Sequence, residues 1–141
     1  MKVTLNRVND NFHFQVKNER GFIVDVDNKS EFGGDNLGAS PMELLLMGVA
    51  GCSSIDIITI LKKQRQEITS FKAEVEGTRV QIEDAKPFKE ISVTFFLEGK
   101  INADKAMRAA ELSFDKYCSV SKTLEPTATI HFNMILNNIP L

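Results

Sequence analysis

The chain is short of the groups that most often announce a function. Its 141 residues hold two cysteines, two histidines, one tyrosine and no tryptophan. Without a Cys-x-x-Cys pair or a third thiol, cysteine alone cannot build a structural zinc site. His13 and His131 fall on predicted strands, and no spacing among these four residues matches a zinc motif. No metal and no cofactor are therefore expected. Charge of one sign is also lacking: 17 Lys and Arg against 19 Asp and Glu leave a net charge of −2. With no basic block, neither a nucleic acid nor a membrane surface is an expected partner. The opening Met1-Lys2-Val3-Thr4-Leu5 has no apolar signal stretch and is itself strand-like. A cytoplasmic location is expected, where thiols stay reduced and a disulfide is more often transient than structural. Gly33, Gly34 and Gly38 have no Gly-Lys-Ser/Thr after them, which argues against a phosphate-binding loop.

What is present suits a single α+β domain over residues 1–141, with no internal repeat and no linker. Three short alternating segments, 2–8, 11–17 and 22–26, predict an antiparallel meander broken at Asn9-Asp10 and Asn18-Glu19-Arg20-Gly21. A Gly- and Asn-rich loop follows. Ser40-Pro41-Met42-Glu43 then has the form of a helix start, with Ser40 as cap and Glu43 three residues on. The spacing predicts a helix to about Gln66 whose first half is apolar on nearly all sides, and hence buried all round. Residues 44–61 are just long enough to cross a bilayer. Asp56 in their middle would cost about 2.5–3.5 kcal/mol there, so a core helix is the better reading. Strands are predicted at 70–83 and 88–99, a helix at 103–117, a further helical turn at 119–124 and a last strand at 127–136. The order is βββ-α-ββ-α-β.

Cys52 and Cys118 stand 66 positions apart (118 − 52), each at a predicted helix. Three readings of the pair are open: two buried structural thiols, one long-range disulfide, or a reactive thiol with a resolving partner. Gly48, Gly51 and Ser54 recur every three positions beside Cys52, a narrow stripe that lets another segment come close. Reaction requires a thiolate, and an ionised Asp56 four residues beyond Cys52 opposes one. An activating cation would come from elsewhere: Arg7, Arg20 or Arg79, with Arg20 favoured by its turn. Cys118, near a helix C-terminus, faces the negative end of the dipole and has the less acidic thiol. If the pair acts together, Cys52 attacks and Cys118 resolves.

Ser40-Pro41-Met42-Glu43-Leu44-Leu45-Leu46-Met47, Ala50-Gly51-Cys52 and Tyr117-Cys118-Ser119-Val120-Ser121 together resemble the OsmC/Ohr family. The strand and helix order resembles it over essentially the whole chain. The resemblance implies an intertwined homodimer that buries the long Cys-bearing helix between two sheets. It implies reduction of organic hydroperoxides, and more weakly of hydrogen peroxide, with Cys52 peroxidatic, Cys118 resolving and a dithiol as reductant. Arg20 and Glu43 are the supporting candidates. In the family's best-known branches a Glu directly follows the Pro; here that position is Met42 and Glu43 comes one step later, about 100° round the helix. Cys118 is followed by Ser rather than Pro. Two alternatives stand beside the peroxidase: a non-catalytic module holding an apolar ligand or partner in an interface cavity, and a redox sensor without turnover.

Overall fold

Asparagine side chains set the turns between the first strands. In the computed structural model, which describes residues 1–141, the Asn9 side-chain oxygen accepts the backbone N–H groups of Asn11 and His13. Asn18 does the same for Arg20 and Phe22. Such side chains stand in for a backbone turn. They close an antiparallel meander of β1 (Val3–Arg7), β2 (Phe14–Asn18) and β3 (Ile23–Val26), the three expected strands with shifted ends. This sheet belongs to the first of two compact units, Met1–Leu45 and Leu46–Leu141. Val3, Leu5, Phe22, Ile23 and Val24 are all exposed on it. The following loop is organised by Asp27, whose buried carboxylate accepts the N–H groups of Asn28, Asp35 and Leu37. Burial pushes this carboxyl up, but the three N–H groups outweigh it and hold it below the usual carboxylate range.

Helix α1 (Pro41–Lys63) starts as expected. Ser40 and Glu43 form a reciprocal cap: the Glu43 carboxylate accepts the Ser40 N–H at 2.7 Å and hydroxyl at 2.8 Å, and Ser40 Oγ accepts the Glu43 N–H at 3.4 Å. These Ser40 bonds, with Lys29 nearby, hold the Glu43 carboxyl below its ordinary range. The helix ends with Lys62 and Lys63 in its last turn, three residues short of Gln66. Its burial departs from expectation. Only Val49, Ser53, Ile57 and Leu61 are fully buried, one stripe at four-residue spacing, while Leu45, Met47 and Ile55 lie exposed. A single chain thus covers one face of a helix that is apolar on nearly every face.

In the second unit β4 (Glu67–Arg79) and β5 (Phe88–Lys100) form a long antiparallel hairpin from Glu67 with Lys100 to Arg79 with Phe88, with register shifts between Ile68 and Ser70 and between Thr78 and Arg79. Alternation along β5 buries Ile91, Val93, Phe95 and Leu97 on one face. β6 (Thr129–Leu136) then pairs parallel to β5, which requires a long crossover. A two-residue turn, Asn137-Asn138, both at positive φ, returns the chain as β7 (Ile139–Pro140). The sheet order is β4-β5-β6-β7.

The helix expected over 103–117 is cut short, while the helical turn expected at 119–124 is present, so the crossover has three parts. They are α2 (Ala103–Leu112), a π-helical turn (Ser113–Tyr117) and α3 (Ser119–Leu124). Asn102 caps α2 by accepting the Lys105 N–H. Phe114, in the π-helical turn, stacks on Phe132 of β6 at 5.3 Å and tilts against Phe95 of β5 at 6.1 Å, which pins the crossover to the sheet. Replacing Ser40 with Ala removes one half of the α1 cap. Urea unfolding of Ser40→Ala is expected to show a loss of about 1 kcal/mol; an unchanged midpoint would mean the cap adds nothing.

Candidate active site

Within the second unit the π-helical turn brings the two cysteines together. The extra residue it holds lets the Cys118 N–H reach back to the Ser113 carbonyl at 2.7 Å, five residues away rather than four. The helix then breaks, and Cys118 becomes the N-cap of α3 instead of the last residue of a longer helix. Across from it runs α1. Val120 of α3 packs over Gly48, 3.4 Å from where a Cβ would lie, which is ordinary van der Waals contact. Gly51, the next member of the stripe, has nothing within 4 Å.

One donor atom each from Cys52, Asp56 and Cys118 lies within 4.8 Å of the other two. Both thiols are free, with Cys52 half-buried and Cys118 fully buried. Asp56 sits one turn after Cys52 on α1 and accepts the Ser113 hydroxyl at 3.1 Å, the link between α1 and the π-helical turn. The Cys118 sulfur accepts the Ser121 hydroxyl at 3.0 Å and the Ser121 N–H at 3.5 Å. Burial pushes the Cys118 thiol up; the Ser121 donors pull it back part-way, and the Cys52 thiol beside it adds to the rise. The sequence reading expected a less acidic Cys118 thiol, and that thiol is raised above its ordinary value. The main cause is burial, because the chain has already turned away from the helix C-terminus. Asp56, and neither cysteine, also lines a cavity of about 380 Å³, with Ile60, Lys63, Leu112 and Tyr117 in its wall.

The other candidates have partners of their own in the first unit. Arg20 lies in the β2–β3 turn with its guanidinium 5.2 Å above the Phe22 ring. Glu43 caps α1 and faces Lys29 at 3.8 Å. His13 pairs with Asp25 at 2.8 Å, and His131 lies in β6. Neither histidine belongs to the cysteine cluster. Sequence reasoning weighed Asp56 as an obstacle to the thiolate and to a membrane span, and gave no role to Ser113 or Ser121. Ser121 was findable, since a serine three residues after a helix-capping position offers its N–H to the cap.

The OsmC-like protein family model matches residues 33–133. The chain belongs to that family. E. coli K12 YhfA is 39% identical over 92 residues, which cover 64% of this chain and 68% of YhfA. Among solved structures, a hypothetical protein from Aquifex aeolicus is 30% identical with a TM-score of 0.79, covering 96% of both chains. An organic hydroperoxide resistance protein from Elizabethkingia anophelis superposes with a TM-score of 0.74 over 97% of both chains at 16% identity, which speaks for the fold alone. This OsmC-like chain thus carries its family's α+β fold with a free thiol pair in it.

The Ser121 contact has a measurable signature. In a Cys52→Ser background, adding Ser121→Ala should move the alkylation of Cys118 by iodoacetamide to higher pH, because a donor to the sulfur is lost while burial remains. Coincident pH profiles would show that the hydroxyl does not act on the thiol.

Proposed function

We propose that this OsmC-like protein is a thiol-dependent peroxidase for organic hydroperoxides, with hydrogen peroxide a poorer substrate. The observation that carries the reading is the convergence of two free thiols, 66 positions apart in sequence (118 − 52), within 4.8 Å. A merely structural role would not require the two to be adjacent. The half-buried Cys52 is the sulfur that a substrate reaches first, and the buried Cys118 behind it suits capture of an intermediate.

The Cys52 thiolate attacks the distal peroxide oxygen. The O–O bond breaks, Cys52 becomes a sulfenic acid, and the departing alkoxide takes a proton to leave as an alcohol. The Cys118 thiol then displaces the hydroxyl of the sulfenic acid; a Cys52–Cys118 disulfide forms and water leaves with the thiol proton. A dithiol reductant restores both thiols by two exchanges and is itself oxidised to a disulfide. The apolar wall residues Ile60 and Leu112 of the adjacent cavity favour an organic over an inorganic peroxide. Homodimerisation belongs to the same proposal: exposed Leu45, Met47 and Ile55 on α1, and Val3, Leu5 and Phe22 on the small sheet, are apolar surface of the kind that a second copy would cover.

The cavity also supports a second reading, a module that binds an apolar ligand without turnover. The two part at the thiols. Cys52→Ser is expected to abolish consumption of cumene hydroperoxide with a dithiol present. Cys118→Ser should complete one reaction and leave a sulfenic acid that dimedone traps at Cys52. Full activity in Cys52→Ser would overturn the peroxidase.

A further inference from the structure

We propose that Cys52, Asp56 and Cys118 also form a binding site for one thiophilic divalent cation of the zinc class. The donors are already gathered: two sulfurs and a carboxylate oxygen within 4.8 Å of one another. In a tetrahedral zinc shell with Zn–S near 2.3 Å and Zn–O near 2.0–2.2 Å, neighbouring donors stand roughly 3.5–3.8 Å apart. A modest side-chain rotation, chiefly of the half-buried Cys52, closes that difference. Three protein donors leave a fourth position for water, and the cavity with Asp56 in its wall gives an ion a way in.

Outer hydrogen bonds are in place as well. Ser121 gives its N–H and its hydroxyl to Cys118 Sγ, and Ser113 gives its hydroxyl to Asp56 Oδ2. Metal-bound thiolates and carboxylates are oriented by donors of this kind. The charge also fits. Asp56 has no ion-pair partner, and two thiolates beside a carboxylate would be mutually repelling without a counter-charge. A divalent cation reduces that cluster from −3 to −1, with two thiol protons released per ion. Binding therefore strengthens as pH rises, because both ligand thiols must give up their protons. An ion bound here occupies both sulfurs, so it excludes peroxide from Cys52 and prevents the disulfide. The inference stands without the peroxidase reading, and only this competition depends on it.

The test is an anaerobic titration of the reduced, full-length protein with cobalt(II), followed by displacement with zinc(II). The expected result is one ion per chain, with a thiolate-to-cobalt charge-transfer band, tetrahedral d–d bands and two protons released. Asp56→Asn should weaken binding beyond the roughly tenfold expected for the outer-shell change Ser113→Ala. Wild-type protein oxidised with diamide to the Cys52–Cys118 disulfide should bind none, an arm that needs no variant and no peroxide. Cobalt without a thiolate band, or binding of equal strength in the disulfide form or in Asp56→Asn, would overturn the site. Either result leaves peroxide consumption to be read separately.

Discussion

A single backbone hydrogen bond, from the Cys118 N–H to the Ser113 carbonyl at 2.7 Å, organises the thiol site. It closes the π-helical turn that ends the crossover's first helix. A regular helix from 103 to 117 would carry Cys118 onward along its own axis. The wider turn releases the chain early, makes Cys118 the cap of α3, and aims its sulfur at α1. The turn is held against the sheet by Phe114, whose ring lies between Phe132 and Phe95. Ser113 at its start donates to Asp56. One local departure from helical geometry thus fixes three groups on two elements, and the sheet's aromatic core holds that departure in place.

The electrostatics of the trio are unusual for a reactive thiol. A thiolate is ordinarily promoted by a cation, a helix N-terminus or a metal. Here Cys118 is influenced by burial, by two serine donors and by the second thiol. The serine bonds favour its ionised form while burial opposes it, in keeping with the resolving role proposed for this sulfur. Asp56 places a carboxylate oxygen near both sulfurs, which would favour the cation proposed there. The two chemistries proposed for these three side chains exclude one another.

Much of the fold was legible because its signals are local. Alternation marked the strands, Asn and Gly marked their turns, and Ser40-Pro41-Met42-Glu43 marked the start of α1 to the residue. The resemblance then paired Cys52 with Cys118, which no spacing rule could have done. The π-helical turn was not legible: Ser113-Phe114-Asp115-Lys116-Tyr117 is compatible with plain helix, and only the packing of Phe114 makes the wider turn the better solution. The burial of α1 is one-sided within a single chain for a related reason. Composition reports that a surface must be covered, but not which chain covers it.

The most direct measurement is the intact mass of the reduced protein after one equivalent of cumene hydroperoxide. Loss of two hydrogens per chain, mapped by peptide analysis to a bridge between Cys52 and Cys118, is the expected result. Both thiols remaining reduced while the peroxide persists would contradict the account at its centre.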